Sequence, residues 1–291
     1  MLWIFFTLLA AFMQSWRNAF QSRLGQEVKV TGVTLARFLW ASPVAAVYLG
    51  LLYYWQPAPV PVFTAPFSGF VVGAALMQIL ATALMVKLFK MNNYAIGAGL
   101  AKSEALVAAV LGMLFFGTSL SMLGWGGVII GGIAVFLMSA RQGFRGLSVN
   151  TVLLGLACGS SFALTSLWVR EASLALNLPF PYSAAWVLLL VISLQTLILV
   201  VFLLLQDPAS LKALWQRPKL TLLTSIASCV GSIGWFSAMS LQTVPYVKTL
   251  GQVEVFFTML ISAYWLKQKL QIKDALGLVL IAIAAIMVMW S

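Results

Sequence analysis

Histidine is absent from this 291-residue chain, and cysteine occurs only twice. Without His there are no imidazole metal sites, no His proton relays and no Ser–His nucleophilic pair. Cys158 and Cys229 sit singly in separate apolar runs, unlike a disulfide framework or a spaced zinc site. Charge is scarce as well: 8% of residues carry it, against about 25% in a soluble domain. With 62% hydrophobic residues and a mean hydropathy of +1.02, no soluble surface could be kept wet. The chain reads as an integral membrane protein. Acids are rarest, six Asp and Glu against 17 Lys and Arg. In a soluble protein that excess would suggest nucleic acid. Here the bases lie in short loops between apolar runs and there is no basic tail or extramembrane domain, so no nucleic-acid partner is expected.

A helix crosses the hydrocarbon core with about 20 mostly apolar residues. That ruler gives ten candidate spans, 2–20, 31–54, 68–89, 94–116, 121–140, 149–170, 182–205, 219–240, 245–266 and 272–290. The first has no charged n-region and no A-x-A-like site after it, so it is expected to be a retained helix rather than a signal peptide. The Pro-rich connection "QPAPVPVFTAPF" should be stiff and extended, and "QDPASLKALWQRPK" has room for a short interfacial helix. Thirteen bases, from Arg17 in the first loop to Lys273 in the ninth, fall in odd-numbered loops; only Arg170 and Lys248 oppose them. The positive-inside rule then puts the odd loops in the cytoplasm and both termini outside, in a bacterial cytoplasmic membrane.

One short stretch resists the bland reading. "LAKSEALVAAVLGMLFF" would be an ordinary span but for Lys102 and Glu104, and a charge at the bilayer centre costs roughly 2.5–3.5 kcal/mol on insertion scales. A shift of 150 residues lays it without a gap on "LGQVEVFFTMLISAYW", with Leu100 on Leu250, Glu104 on Glu254 and Gly127 on Gly277. Both glutamates are then expected about ten residues into their helices, at the midplane. Five spans per half is an odd number, so the halves, 1–144 and 145–291, should have opposite orientations. The expected fold is all-α and polytopic, ten transmembrane helices in two inverted five-helix repeats. In the same register Gln78 falls on Ser228, Thr82 on Ser232 and Met85 on Trp235, semi-polar stripes at i, i+4, i+7. The first span has a stronger stripe, Gln14, Arg17, Asn18 and Gln21. The sixth carries Ser161, Thr165 and Trp168.

The two stretches "ALMVKLFKMNNYAIGAGLAKSEALVAAVLGMLFFGTSLSMLGWGGVIIGGIAVFLM" and "WFSAMSLQTVPYVKTLGQVEVFFTMLISAYWLKQKLQIKDALGLVLIAIAAIMVM" resemble the EamA-type unit of the drug/metabolite transporter superfamily. "LARFLWASPVAAV" is similar to that unit's second helix. The resemblance covers essentially the whole chain as two units. It implies a ten-helix secondary transporter with a central cavity, moving small metabolites, often outward. Three departures stand out. The Pro usual after the central position is Ala105 in one half and Val255 in the other, and the usual loop Glu is Thr118 and Gln268. The charge bias is opposite to the termini-inside arrangement of well-known relatives.

The duplicated glutamates are the leading candidates for a site that takes a cationic group or a proton by turns. The rival reading is structural, a salt bridge to Lys102, Lys248 or Arg37. Lys102 and Arg37 beside the acids would make the site zwitterionic; alternatively Arg37 snorkels to the interface. Gln14, Asn18, Gln78, Ser232 and Gln252 supply polar lining, and Trp235 an indole face for a cation. Arg17 reads as an orientation charge near a helix end, and Lys248 as a gate or a snorkelling base. Gly127 and Gly131, like Gly155 and Gly159, suit close helix packing. The expected function is secondary transport of a small cationic or zwitterionic metabolite, proton-linked, by alternating access. Its partners would be that solute, a proton or other coupling ion and the lipid bilayer, with no cofactor, no metal and a monomeric chain. A flippase-like carrier of a lipid-linked metabolite is the alternative. A membrane-embedded enzyme fits poorly, because the acids are buried and His is absent, and a continuous channel fits a midplane repeat badly.

Overall fold

A backbone in hydrocarbon must satisfy its own N–H and C=O groups, which leaves helices as the economical solution for runs this apolar. The computed structural model describes residues 1–90, 103–139, 149–264 and 272–291, and among them there are helices and connecting turns but no strand. The first half comprises α1 (Leu2–Leu24), α2 (Val30–Phe38), α3 (Ala41–Trp55), α4 (Ala65–Lys90), α5 (Glu104–Phe115) and α6 (Met122–Ser139). The second comprises α7 (Val149–Ala175), α8 (Tyr182–Gln206), the short α9 (Pro208–Trp215), α10 (Pro218–Leu241), α11 (Val244–Leu250), a 3-10 turn (Gly251–Val253), α12 (Glu254–Tyr264) and α13 (Ile272–Met289). Among the described residues, five segments are long and apolar enough to cross a membrane, namely the α2–α3 pair, α4, α7, α8 and α10.

Three sequence expectations change. The second span is two helices, broken at Leu39–Trp40 just ahead of Pro43, which has no N–H to return to the preceding turn. The ninth span is not continuous either. It is interrupted by the 3-10 turn, so Glu254 opens a helix instead of lying ten residues inside one. Glu104 likewise opens α5. Finally, α1 runs to Leu24 rather than ending near residue 20, which places Arg17 well inside it. Pro208, Pro218 and Pro245 sit at the starts of α9, α10 and α11, where a fixed φ costs no hydrogen bond.

The main helix pairings are α1 with α10, α4 with α7, α5 with α7, α1 with α12, α3 with α8, α6 with α13 and α11 with α5. Exchange the halves and every pairing but α11–α5 maps onto another of the set or onto itself; the residues that would answer α11 in the first half, 94–100, lie outside the described residues. The first helix of each half packs on the third of the other and on the helix opened by the other half's glutamate. The α1–α10 contact is close because Gly234 carries no side chain: a Cβ there would meet the Phe6 carbonyl oxygen at 2.7 Å and Ala10 Cβ at 2.9 Å. Around this frame the Trp40, Trp55, Trp215 and Trp290 rings are exposed, as belt residues should be, and Trp168 instead packs on Gly73.

Gly234→Ala should therefore overpack the α1–α10 seam and lower stability by about 1–3 kcal/mol. A Cβ at Gly69 meets nothing within 4 Å, so Gly69→Ala serves as the matched control. Thermal unfolding in detergent should separate the two; equal midpoints would mean that the seam yields freely.

Candidate functional site: a linked pair of buried glutamates

A carboxylate removed from water needs donors or a counter-charge. Glu254 is 3% exposed and is served chiefly by α1. Gln14 Nε2 donates to its Oε2 at 2.5 Å and Asn18 Nδ2 to its Oε1 at 2.7 Å. Arg17 stands behind Asn18, donating to Asn18 Oδ1 from Nη2 at 2.8 Å and from Nε at 3.3 Å. The cation thus polarises the amide that holds the acid. The Ser15 hydroxyl lies 3.1 Å from the Glu254 carbonyl, tying the start of α12 to α1. As the first residue of α12, Glu254 also sits at the end of the helix dipole that favours negative charge. The break at Gly251–Val253 makes that possible, and Gly251 permits it, since the Trp235 ring occupies the space a Cβ would need.

Glu104 has the same backbone position but different company. Ser166 on α7 donates to its Oε1 at 3.0 Å, and Lys248 on α11 lies 2.8 Å from the same oxygen. The two side chains are 10% and 13% exposed, so this ion pair is largely desolvated. The Lys248 ammonium also stands 4.1 Å from the Trp235 ring centroid, a cation–π geometry. Trp235 Nε1 donates to Gln14 Oε1 at 2.9 Å. The sequence Glu104–Lys248–Trp235–Gln14–Glu254 is therefore continuous, and one Gln14 amide joins both ends: its oxygen takes the indole proton and its nitrogen serves Glu254.

The other candidates divide. Ser232 is buried one turn before Trp235 on α10. Gln252 is buried in the 3-10 turn against Gly131, with no hydrogen-bond partner among the described residues at either amide atom. Gln78 is drawn elsewhere, accepting from Gln195 Nε2 at 2.7 Å across α4 and α8. Arg37 does not snorkel. It is 2% exposed, donates from Nη1 to Thr82 Oγ1 at 2.6 Å, and lies near the rings of Phe38 and Phe162. It makes no hydrogen bond to either glutamate but is within electrostatic reach of Arg17 and Glu104. Lys102 lies outside the described residues.

Two expectations are corrected outright. Arg17, read as an orientation charge, is 2% exposed within the Glu254 cluster, and the extended α1 explains why. Lys248, read as a gate or a snorkelling base, does not snorkel, because Glu104 and Trp235 hold it inside. Ser166 was not anticipated at all. Arg17 was nevertheless legible, since it shares the helical stripe of Gln14 and Asn18. Among the described residues, no cluster of three or more His, Cys, Asp or Glu could hold a metal.

A chain this apolar, with five segments long enough to span a bilayer among the described residues, belongs to the class of integral membrane proteins. The model of the EamA-like transporter family matches residues 149–290, in the second half of the chain. A solved structure, described only as "Crystal structure of protein", is similar over 98% of both chains with a TM-score of 0.72 at 14% identity, a likeness of fold. Among curated proteins none matches.

Removing one partner of a desolvated pair leaves the other charge stranded, at a cost of about 3–5 kcal/mol. Lys248→Met should accordingly destabilise strongly, while Glu104→Gln/Lys248→Met should recover most of the loss. Unfolding midpoints of the four species in detergent give the coupling. Additive losses would show that the pair is not energetically linked.

Proposed function

We propose that the protein is a proton-linked secondary transporter of a small cationic or zwitterionic metabolite, working by alternating access around Glu104 and Glu254. The observation that carries this reading is the Lys248 ammonium, seated on the Glu104 carboxylate and over the Trp235 indole. A primary ammonium is thus already accommodated by a carboxylate and a ring face, joined by one glutamine to a second buried acid. That is the chemistry a cationic solute group requires. Protonating Glu254 removes the charge that Gln14 and Asn18 hold, so proton and cation compete for it. In this reading residues 1–144 and 145–291 are inverted five-helix units, and the exchange-related helix pairings give each unit a seam on which to rock. The odd loops, rich in bases, face the cytoplasm.

The test is charge movement from reconstituted protein on a solid-supported membrane, with amino acids, polyamines and quaternary amines applied at pH 6 and pH 8. A substrate-evoked current that differs between the two pH values is expected. Glu254→Gln should reduce it at least tenfold and remove the pH difference. Wild-type currents in Glu254→Gln would make the acid structural, and silence for every solute would favour lipid-linked cargo.

A further inference from the structure

Where the second span breaks, at Leu39–Trp40, its freed backbone groups are taken up from inside the bundle. The Ser225 hydroxyl of α10 donates to the Ala36 carbonyl at 2.6 Å and accepts from the Trp40 N–H at 3.2 Å. Thr196 of α8 donates to the Phe38 carbonyl at 3.1 Å. The short α9 packs against α2 and α10. Between the break and α9 lies a half-open groove of about 260 Å³, walled by Leu39, Trp40, Leu214, Trp215, Pro218 and Leu222. The Trp40 and Trp215 rings meet edge to face with centroids 6.1 Å apart, and both are accessible, 37% and 61% exposed. Apart from these indoles the lining offers no free polar side chain, because the Thr221 hydroxyl donates to the Leu214 carbonyl at 3.1 Å.

Charge is concentrated at one end of this groove. The two acids nearby are already matched, Asp207 with Lys29 at 3.2 Å and Glu27 with Arg217. Lys212 and Lys219 are exposed, and neither makes an ion pair or hydrogen bond among the described residues. Lys212 stands three residues before Trp215 and Lys219 three before Leu222. Each lysine is therefore on the side of its helix that lines the groove one turn further on. Two cations thus lead into an apolar slot. A water-soluble metabolite fits it poorly, since the volume is below the range of about 300–1,000 Å³ usual for a whole small molecule and the slot has little to hold polar atoms. A phospholipid with an anionic head group matches both parts: a stretch of acyl chain fills the slot and the phosphate meets the lysines. A zwitterionic lipid matches less well, because its ammonium would face two cations that have no other counter-charge.

We propose that the groove between the α2–α3 break and α9 is a binding site for one anionic phospholipid, with its acyl chain against Trp40 and Trp215 and its phosphate on Lys212 and Lys219. The lipid braces α9 against the break, and the indole rings sit where the apolar and polar parts of the lipid meet. The site is separate from the buried glutamates and does not depend on the transport reading.

Native mass spectrometry of the detergent-purified full chain, titrated with dioleoyl phosphatidylglycerol or dioleoyl phosphatidylcholine, counts bound lipids and gives the affinity of the first. Phosphatidylglycerol should fill one site about fivefold more tightly than phosphatidylcholine, or better. Lys212→Gln/Lys219→Gln should weaken it about tenfold or more, the scale of two cations facing an anionic head group, and so bring it to the phosphatidylcholine level. Arg23→Gln/Lys87→Gln removes the same charge from exposed positions on α1 and α4 and should change it less than twofold. Trp215→Ala, at an exposed ring, should weaken both lipids. Millimolar glycerol phosphate should displace nothing. Displacement by it would mean a site for a free anion in which the groove has no part, and would overturn the proposal. Equal affinity for the two lipids, or an equal loss in the control variant, reduces the groove to ordinary bilayer contact and overturns it too. So does a lipid-free dimer that Trp215→Ala converts to monomer, which gives the groove to a second copy of the chain.

Discussion

Everything in the interior answers to one requirement: a carboxylate out of water must be given donors or a counter-charge. Glu254 and Glu104 both meet it by opening a helix, where the dipole and the free N–H groups favour an anion. That position exists at Glu254 only because the ninth span breaks at Gly251–Val253. Gly251 opens that turn, and its missing side chain makes room for Trp235. The long polar stripe of α1 follows from the same requirement, because Gln14 and Asn18 must reach across to α12.

The scaffold treats the two acids alike; their surroundings do not. Each glutamate is served by the first helix of the opposite half, Glu254 by Gln14 and Asn18 on α1 and Glu104 by Ser166 on α7. Yet the 150-residue shift sets Lys248 opposite Ala98, Trp235 opposite Met85, Gln14 opposite Leu164 and Asn18 opposite Trp168. The groups that distinguish the acids are therefore the ones without a matching residue in the other half. The surroundings thus divide the two acids: Glu104 is paired with an internal ammonium, and Glu254 accepts from the Gln14 and Asn18 amides with Arg17 behind Asn18.

Membrane class and the two glutamates were legible in the sequence for plain physical reasons. Long apolar runs leave little room for another solvent, and a rare acid in such a run has no cheap place to be. The break before Glu254 was not legible, because the proline expected after that glutamate is Val255, and the turn forms without it. The depth of Arg17 was missed for a related reason. A polar cluster near the end of an apolar run looks like a helix end, whereas here α1 continues to Leu24 with its polar face turned inward. Lys248 was among the three bases named as salt-bridge partners for the glutamates, and it pairs with Glu104; a partner such as Gln195 for Gln78 comes from across the bundle, and no local pattern encodes it.

The Gln14 amide bears on how the two acids act on one another. Its nitrogen donates to a carboxylate and its oxygen accepts from Trp235, whose face in turn supports the Lys248 ammonium on Glu104. A hydrogen bond to an ionised acceptor is roughly twice as strong as one to a neutral acceptor, and bonds in series polarise one another. On the proposed reading, neutralising Glu254 with a proton weakens the first link and with it the indole's hold on Lys248. Displacing Lys248 from Glu104 works back along the same links. Reciprocity of this kind is required of any two coupled sites. Here its material is specific, a single glutamine whose two ends face the two halves of the site.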